Sequence, residues 1–256
     1  MLSCTAQKEQ RTITPFSRIE VKGAVSVTYH QSDSLGMWLN GDEEDLGKVT
    51  TVVDGDVLRI SSKGDMEDRV TVHVSANSLK ALELQGATSF NTEGTLKAET
   101  FDLGISGASQ GKIVLEVGKV SCIQSGASAL TLSGRCTNLV ANISGASNLK
   151  AFDLIAEKAE VETSGAANAK ITVTGTFNGN AAGASSIRLK GDPKDVTAES
   201  SSAASITRVK TKDDTASRDT VTWNLSNKKV IIVSEPGKEG EKPKKKSSVS
   251  STRKFK

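Results

Sequence analysis

The chain has 256 residues, 36% of them hydrophobic but only 4% aromatic, and a formal net charge of +3. So few large rings argue against a thick core, and no apolar run reaches the roughly 18 residues of a transmembrane helix. Eight basic and two acidic residues between Pro236 and Lys256 give that end +6 and leave −3 for residues 1–235. The basic balance therefore belongs to the tail, and the rest shows no basic stripe of the kind a phosphate backbone requires.

In chain order, Cys4 comes first. It stands in Met1-Leu2-Ser3-Cys4-Thr5, ahead of the polar run Gln7-Lys8-Glu9-Gln10-Arg11. An apolar residue, a small residue and then Cys is the pattern at the end of a bacterial lipoprotein leader, so Cys4 is the candidate lipidation site. Residues 1–12 are read as this lipobox remnant and a linker. Residues 13–75 alternate between apolar and polar, as in Ile19–Tyr29 and Arg69–Val74, which predicts strands. Asp54-Gly55-Asp56 between two apolar runs predicts a hairpin. Asp42–Asp45 is an acidic run read as a solvated turn or single helical turn rather than a cation site.

From Leu84 onward one motif returns seven times, as in Ile105-Ser-Gly-Ala-Ser, Gln124-Ser-Gly-Ala-Ser and Ile143-Ser-Gly-Ala-Ser. Its centre falls at Gly86, Gly107, Gly126, Gly145, Gly165, Gly183 and Ser202, at intervals of 21, 19, 19, 20, 18 and 19. Apolar residues stand two, four and six places before the Gly and four or six places after it. About 19 residues is too short for a strand–helix–strand crossover, and such a unit buries its apolar face only by stacking. The expectation is an all-β fold, a single-stranded parallel β-helix (β-solenoid) of about 19-residue coils over residues 13–235. Seven coils stacked about 4.8 Å apart make a rod roughly 34 Å long. The Gly permits the bend, and the Ala after it is expected where the coil is narrowest. Cys122 falls in the inward column and Cys136 in the connecting arc, so a disulfide between them is not expected. Val221–Leu225 and Lys229–Val233 are read as strands closing the end of the rod, and residues 236–256 as a basic, disordered tail.

The run Pro15–Thr28, the segment Val53-Asp-Gly-Asp-Val-Leu-Arg-Ile60, the Ser-Gly-Ala-Ser copies and Gly183–Pro193 together resemble the putative auto-transporter adhesin, head-GIN domain family of bacterial envelopes. The resemblance covers about residues 13–210. It implies a right-handed β-helix, secretion and often a lipid anchor at a cysteine such as Cys4. Gln7-Lys-Glu is also similar to the short polar signals that direct some lipoproteins to the cell surface. No catalytic residues come with the family.

The residues themselves offer little chemistry. Glu83, Asp102, Glu160, Glu162 and Glu199 are scattered, whereas glycosidic cleavage needs clustered acids. His30 and His73 lie outside the repeat, and no phosphate loop, metal motif or nucleophile elbow occurs. Ser109, Ser128, Ser147 and Ser185 should form a ladder that either presents hydroxyls to a glycan or satisfies turn backbone, the second being favoured. Trp38 and Trp223 are read as capping residues rather than sugar platforms. The sequence thus predicts a secreted outer-membrane or cell-surface lipoprotein, an adhesin or binding module without catalytic residues, cofactor or metal. Its expected partners are a cell-surface glycan or protein, and the membrane through a lipid anchor, with no nucleic acid. The alternatives are a carbohydrate-active enzyme and a structural envelope protein.

Overall fold

A computed structural model describes residues 7–209, together with 224–225, 229–234 and 245–250. Cys4, Trp223 and much of the basic tail lie outside the described residues. The elements are β1 (Gln7–Gln10), β2 (Arg18–Gly23), β3 (Ser26–Gln31), β4 (Gly36–Gly41), α1 (Glu43–Lys48), β5 (Val49–Asp54) and β6 (Val57–Ser62). They continue as β7 (Thr71–Ala76), β8 (Ala81–Gly86), β9 (Ser89–Glu93), β10 (Leu96–Ile105), β11 (Gln110–Gln124) and β12 (Ala129–Ile143). The chain then forms β13 (Asn148–Thr163), β14 (Asn168–Ala181), β15 (Ser186–Lys190), β16 (Asp195–Ser200) and β17 (Ser205–Arg208). Three further strands are β18 (Asn224–Leu225), β19 (Lys229–Ser234) and β20 (Lys245–Ser250).

The fold is a β-solenoid, and α1 is its one helix among the described residues. Strands β10 to β14 pair in parallel with their equivalents one coil away, as in Cys122 with Leu103 and Ala141. Each inward column is therefore a stack of side chains from successive coils. Val120, Leu139, Ala159, Phe177 and Val196 form one such stack, all buried. Phe90, Phe101 and Phe177 are fully buried, and the few rings the chain has are spent where a column needs volume. Tyr29 stacks on Phe90 and donates its hydroxyl to the Ala76 carbonyl at 3.0 Å. Burial pushes its phenol up to about 12.

The order of coils departs from the order of sequence at the N-terminal end. β2 lies between β6 and β8, and β3 lies between β7 and β9, all in parallel. The first coil in sequence is thus the second in space, because the chain leaves it, makes β4, α1, β5 and β6, and returns beneath it. Antiparallel strands close this end, β5 on β6 and β4 on β7, with β1 outermost on β4. Gln7–Gln10, assigned to a linker by sequence, is that outermost strand. Arg11 ties it down by donating to the carbonyls of Val49 at 2.7 Å and Leu46 at 3.1 Å. At the far end β19 pairs antiparallel to β16 and β18 to β17, the closing role expected of these segments. Lys245–Ser250, within the expected tail, is strand β20 against β19.

The acidic run is partly helical, as expected, but it is not solvated throughout. Asp45 is buried and accepts from the Asp68 N–H at 2.9 Å and Lys48 Nζ at 3.0 Å. The Asp68 N–H, first, and the Lys48 ammonium hold its carboxyl below the usual range. It fastens α1 to the loop before β7.

The turn that repeats has one geometry. The copies of its glycine sit at positive φ, from +72° at Gly165 to +98° at Gly86, and Gly23 joins them at +99°. The amide after each glycine donates to the glycine carbonyl of the coil before, for example Ala127 to Gly107 at 2.9 Å and Ala146 to Gly126 at 2.8 Å. The alanines themselves are exposed, against the expectation that they fill the narrowest part of the coil. The buried residue is the next one, at Ser109, Ser128, Ala167 or Ser185. Cys122 and Cys136 are buried and unbridged, as expected, and burial pushes their thiols up to about 12 and about 11. In a Cys4→Ser background, native protein at mildly alkaline pH is therefore expected to resist a thiol reagent at both, and unfolded protein to react at both. Rapid labelling of the native rod would contradict this packing.

Candidate functional site

Two walls of the rod expose regular columns of outward side chains, and the candidate chemistry lies on them. The first wall is built from the strand segments that precede each turn. Its middle column, in register, runs Arg59, Glu20, Glu83, Gly104, Ile123, Asn142, Glu162, Asn180 and Glu199. Glu20 is held by Arg59 at 3.3 Å, and Glu83 accepts from Gln85 at 2.6 Å. Farther on, Asn180 separates Glu162 from Glu199. The acids singled out in the sequence are on this wall, and nowhere in the column are they stacked three deep.

An open hollow of about 400 Å³ lies on the same wall. It forms because Gly104 presents no side chain, between Glu83 on one coil and Ile123, 61% exposed, on the next. Gly104 has no positive φ, and an added Cβ would meet only Glu83 Cγ at 3.5 Å. The hollow thus comes from residue choice and not from backbone need. Of its acids Glu83 and Asp102 are exposed and Glu20 is half-buried against Arg59, so the lining holds no buried carboxyl pair to serve as general acid and nucleophile.

The serine ladder faces inward. Ser109 donates to the Ser106 carbonyl at 2.8 Å, Ser128 to that of Ser125 at 2.9 Å and Ser185 to that of Ala182 at 2.8 Å. Ser128 and Ser147 also meet at 3.2 Å. All four are buried, so the ladder satisfies backbone and presents nothing to a glycan. Gln124, where the apolar column lapses two places before the glycine, is fully buried and donates to the carbonyls of Ser128 and Asn148 at 3.0 and 3.2 Å.

The second wall is built from the segments that follow each turn. Its central outward column is the residue five places past each glycine. In register it runs Trp38, His73, Thr28, Asn91, Lys112, Thr131, Lys150, Lys170, Arg188 and Thr207. At its N-terminal end Trp38 stacks on His73, with centroids 4.7 Å apart and planes at 5°, and Lys8 Nζ lies 4.8 Å from the indole centroid. β4 sits between β1, which carries Lys8, and β7, which carries His73. The indole is thus flanked on both sides, which favours the capping role over a free sugar platform. His30 is exposed and makes a 3.2 Å bond to the Glu93 carbonyl. Among the described residues no three His, Cys, Asp or Glu could hold a metal ion.

The rest of the column corrects the expectation that the body has no basic stripe. Lys112, Lys150, Lys170 and Arg188 share one outward line, the last three on successive coils. The sequence signal was present as a cation five places past Gly107, Gly145, Gly165 and Gly183. Attention to the apolar positions four and six places past the glycine hides it.

Stacked coils whose parallel strands carry outward polar columns, with antiparallel strands at both ends, define a β-solenoid. The chain belongs to the putative auto-transporter adhesin, head GIN domain family, whose model matches residues 15–193. A crystal structure of a putative adhesin from Bacteroides fragilis superposes with a TM-score of 0.76 at 18% identity, covering 81% of this chain and 98% of the other. A putative adhesin from Parabacteroides distasonis gives 0.65 at 21% identity, covering 80% and 97%. A putative lipid binding protein from Parabacteroides distasonis gives 0.64 at 21% identity, also covering 80% and 97%. At such identities the likeness is one of fold. No functionally curated protein matches the chain.

Proposed function

We propose that this chain is a cell-envelope adhesin, a binding module that displays the long walls of its rod and turns over no substrate. One observation carries the reading: among the described residues, Lys112, Lys150, Lys170 and Arg188 share one outward column of like charge, whereas the acids a lyase or hydrolase would cluster are dispersed. Membership of an adhesin family supports it. Attachment to the outer membrane through a lipid on Cys4 is part of the proposal, supported by the residues around that cysteine. The carbohydrate-active alternative has the hollow at Gly104 as its best location.

The test has two arms. Purified protein is probed on an array of glycans and matrix proteins and incubated with a panel of polysaccharides. Binding without cleavage is the expected result, and release of oligosaccharides from any of them would overturn the reading. A precursor with an export leader is also expected to incorporate labelled palmitate, and Cys4→Ser to abolish it. Equal labelling of both would refute the anchor while leaving the adhesin reading intact.

A further inference from the structure

Like charges directly opposite one another on adjacent strands of a sheet are destabilising. Elsewhere the rod offsets such contacts: Glu20 and Glu83 are in register, but Arg59 lies 3.3 Å from Glu20. Lys97, Glu116 and Arg135 follow one another in register with alternating sign, and Lys97 Nζ lies 3.3 Å from Glu116 Oε2. On the second wall it does the opposite, placing Lys150, Lys170 and Arg188 on consecutive coils with Lys112 two coils before. None of the four makes an ion pair with a described residue. Lys190, two residues beyond Arg188 on the same strand face, adds a fifth cation. Repulsion that could be relieved by a single Glu is left in place along a straight line of about 19 Å, four steps of ~4.8 Å.

We infer that this column is the binding line for a linear acidic polysaccharide, one bearing carboxylate or sulfate groups at intervals along the chain. The inference rests on the binding-module reading above and supplies its ligand class. The neighbouring outward column, three places past each glycine, is neutral and polar in these coils. It holds Asn148, Asn168 and Ser186, of which Ser186 donates to Asn168 Oδ1 at 2.7 Å, and the column adds no competing charge beside the cations. Neither column contains an acid. Arg188 can grip a carboxylate or sulfate with two parallel donors, and the lysines act as point charges. A membrane surface fits less well, because the exposed large apolar residues Leu35, Val52, Ile123 and Ile155 all stand outside these columns. A single-stranded nucleic acid fits less well too, since the one indole in the line is already flanked by His73 and Lys8.

The experiment compares the full chain with a triple variant, Lys150→Ala, Lys170→Ala and Arg188→Ala. A control triple, Lys22→Ala, Lys119→Ala and Lys158→Ala, removes the same charge from exposed positions off this wall. Both keep the basic tail, so its contribution cancels. The probes are heparin, hyaluronate, neutral dextran, phosphatidylglycerol vesicles and an oligothymidylate. The full chain is expected to bind heparin or hyaluronate, more weakly as salt rises, and not dextran. The wall triple is expected to lose roughly tenfold to a hundredfold in affinity while the control triple stays within about threefold. Its melting temperature should be unchanged or higher, because repulsion is relieved. Equal losses in the two triples, no binding to either acidic polysaccharide, or tighter binding to vesicles or oligothymidylate would overturn the inference. If the wall triple still binds the glycans or matrix proteins of the array as the full chain does, the inference fails and the adhesin reading stands.

Discussion

Gly126→Ala is expected to destabilise the rod by about 3 kcal/mol, combining the cost of a left-handed conformation with overpacking against a neighbouring coil. Gly126 has φ +75°, and a Cβ there would sit 2.7 Å from the Gly107 carbonyl oxygen and 2.9 Å from its nitrogen. Both atoms are backbone, so the coil can relieve the contact only by separating from the one before. Separation would also stretch the 2.9 Å bond from the Ala127 amide to that same carbonyl. Chemical denaturation of the variant measures the loss, and a change below about 1 kcal/mol would show that neither constraint is felt. The last copy provides the opposite experiment. Ser202 holds the equivalent place at φ +60°, and it is the one described non-glycine residue at positive φ. Ser202→Gly is expected to stabilise the rod by roughly 0.5–1 kcal/mol by releasing that strain.

A second large effect is expected where a ring and a glycine share one space. Phe177 and Gly179 are both on β14, two residues apart and both facing inward. A Cβ on Gly179 would meet the Phe177 ring, with Cε1 at 2.8 Å and Cζ closer. The ring therefore fills the volume that Val161 and Ala198, in register on either side of Gly179, fill with their own side chains. Phe177→Ala should cost about 3–5 kcal/mol through the cavity it leaves. Gly179→Val should cost about 1–3 kcal/mol by forcing the ring out of place. In the double variant the valine occupies part of the vacated volume, so the protein should be more stable than Phe177→Ala alone, with a coupling of about 2 kcal/mol. Additive losses would mean that the ring and the glycine do not compete for the same space.

The architecture was legible because a solenoid writes its period into the sequence. A Gly at about every 19 residues, flanked by alternating apolar positions, gave the coil length, the parallel stacking and the inward columns, down to the burial of Cys122. What was not legible has a common physical cause. A periodic pattern says which residues share a column, but not how a coil is bounded or the order in which coils are laid down. Ala127 is exposed, against expectation, because the turn is shaped by an amide-to-carbonyl ladder that no side-chain pattern reports. Asp45 looked like one of four solvated acids, and only the fold brings the Asp68 amide to it. The basic line on the second wall needed register across coils before Lys150, Lys170 and Arg188 became neighbours rather than three ordinary surface charges.

The return of the chain beneath its own first coil has a consequence for assembly. Along most of the rod each strand pairs with a partner about 19 residues away, as Leu130 does with Gly111, so a new coil can form on the last one by closing a short loop. At the N-terminal end Ile19 must find Leu82, and Val27 must find Phe90, each 63 residues farther along. Neither pairing can form until β4 to β7 have been made and folded back. The two ends of the molecule are therefore built on different clocks: one grows by local addition, and the other waits for a distant segment to arrive. Until β8 and β9 arrive, one edge of the first coil stays unpaired, which makes residues 18–31 the stretch where a passing strand from another copy would do most harm.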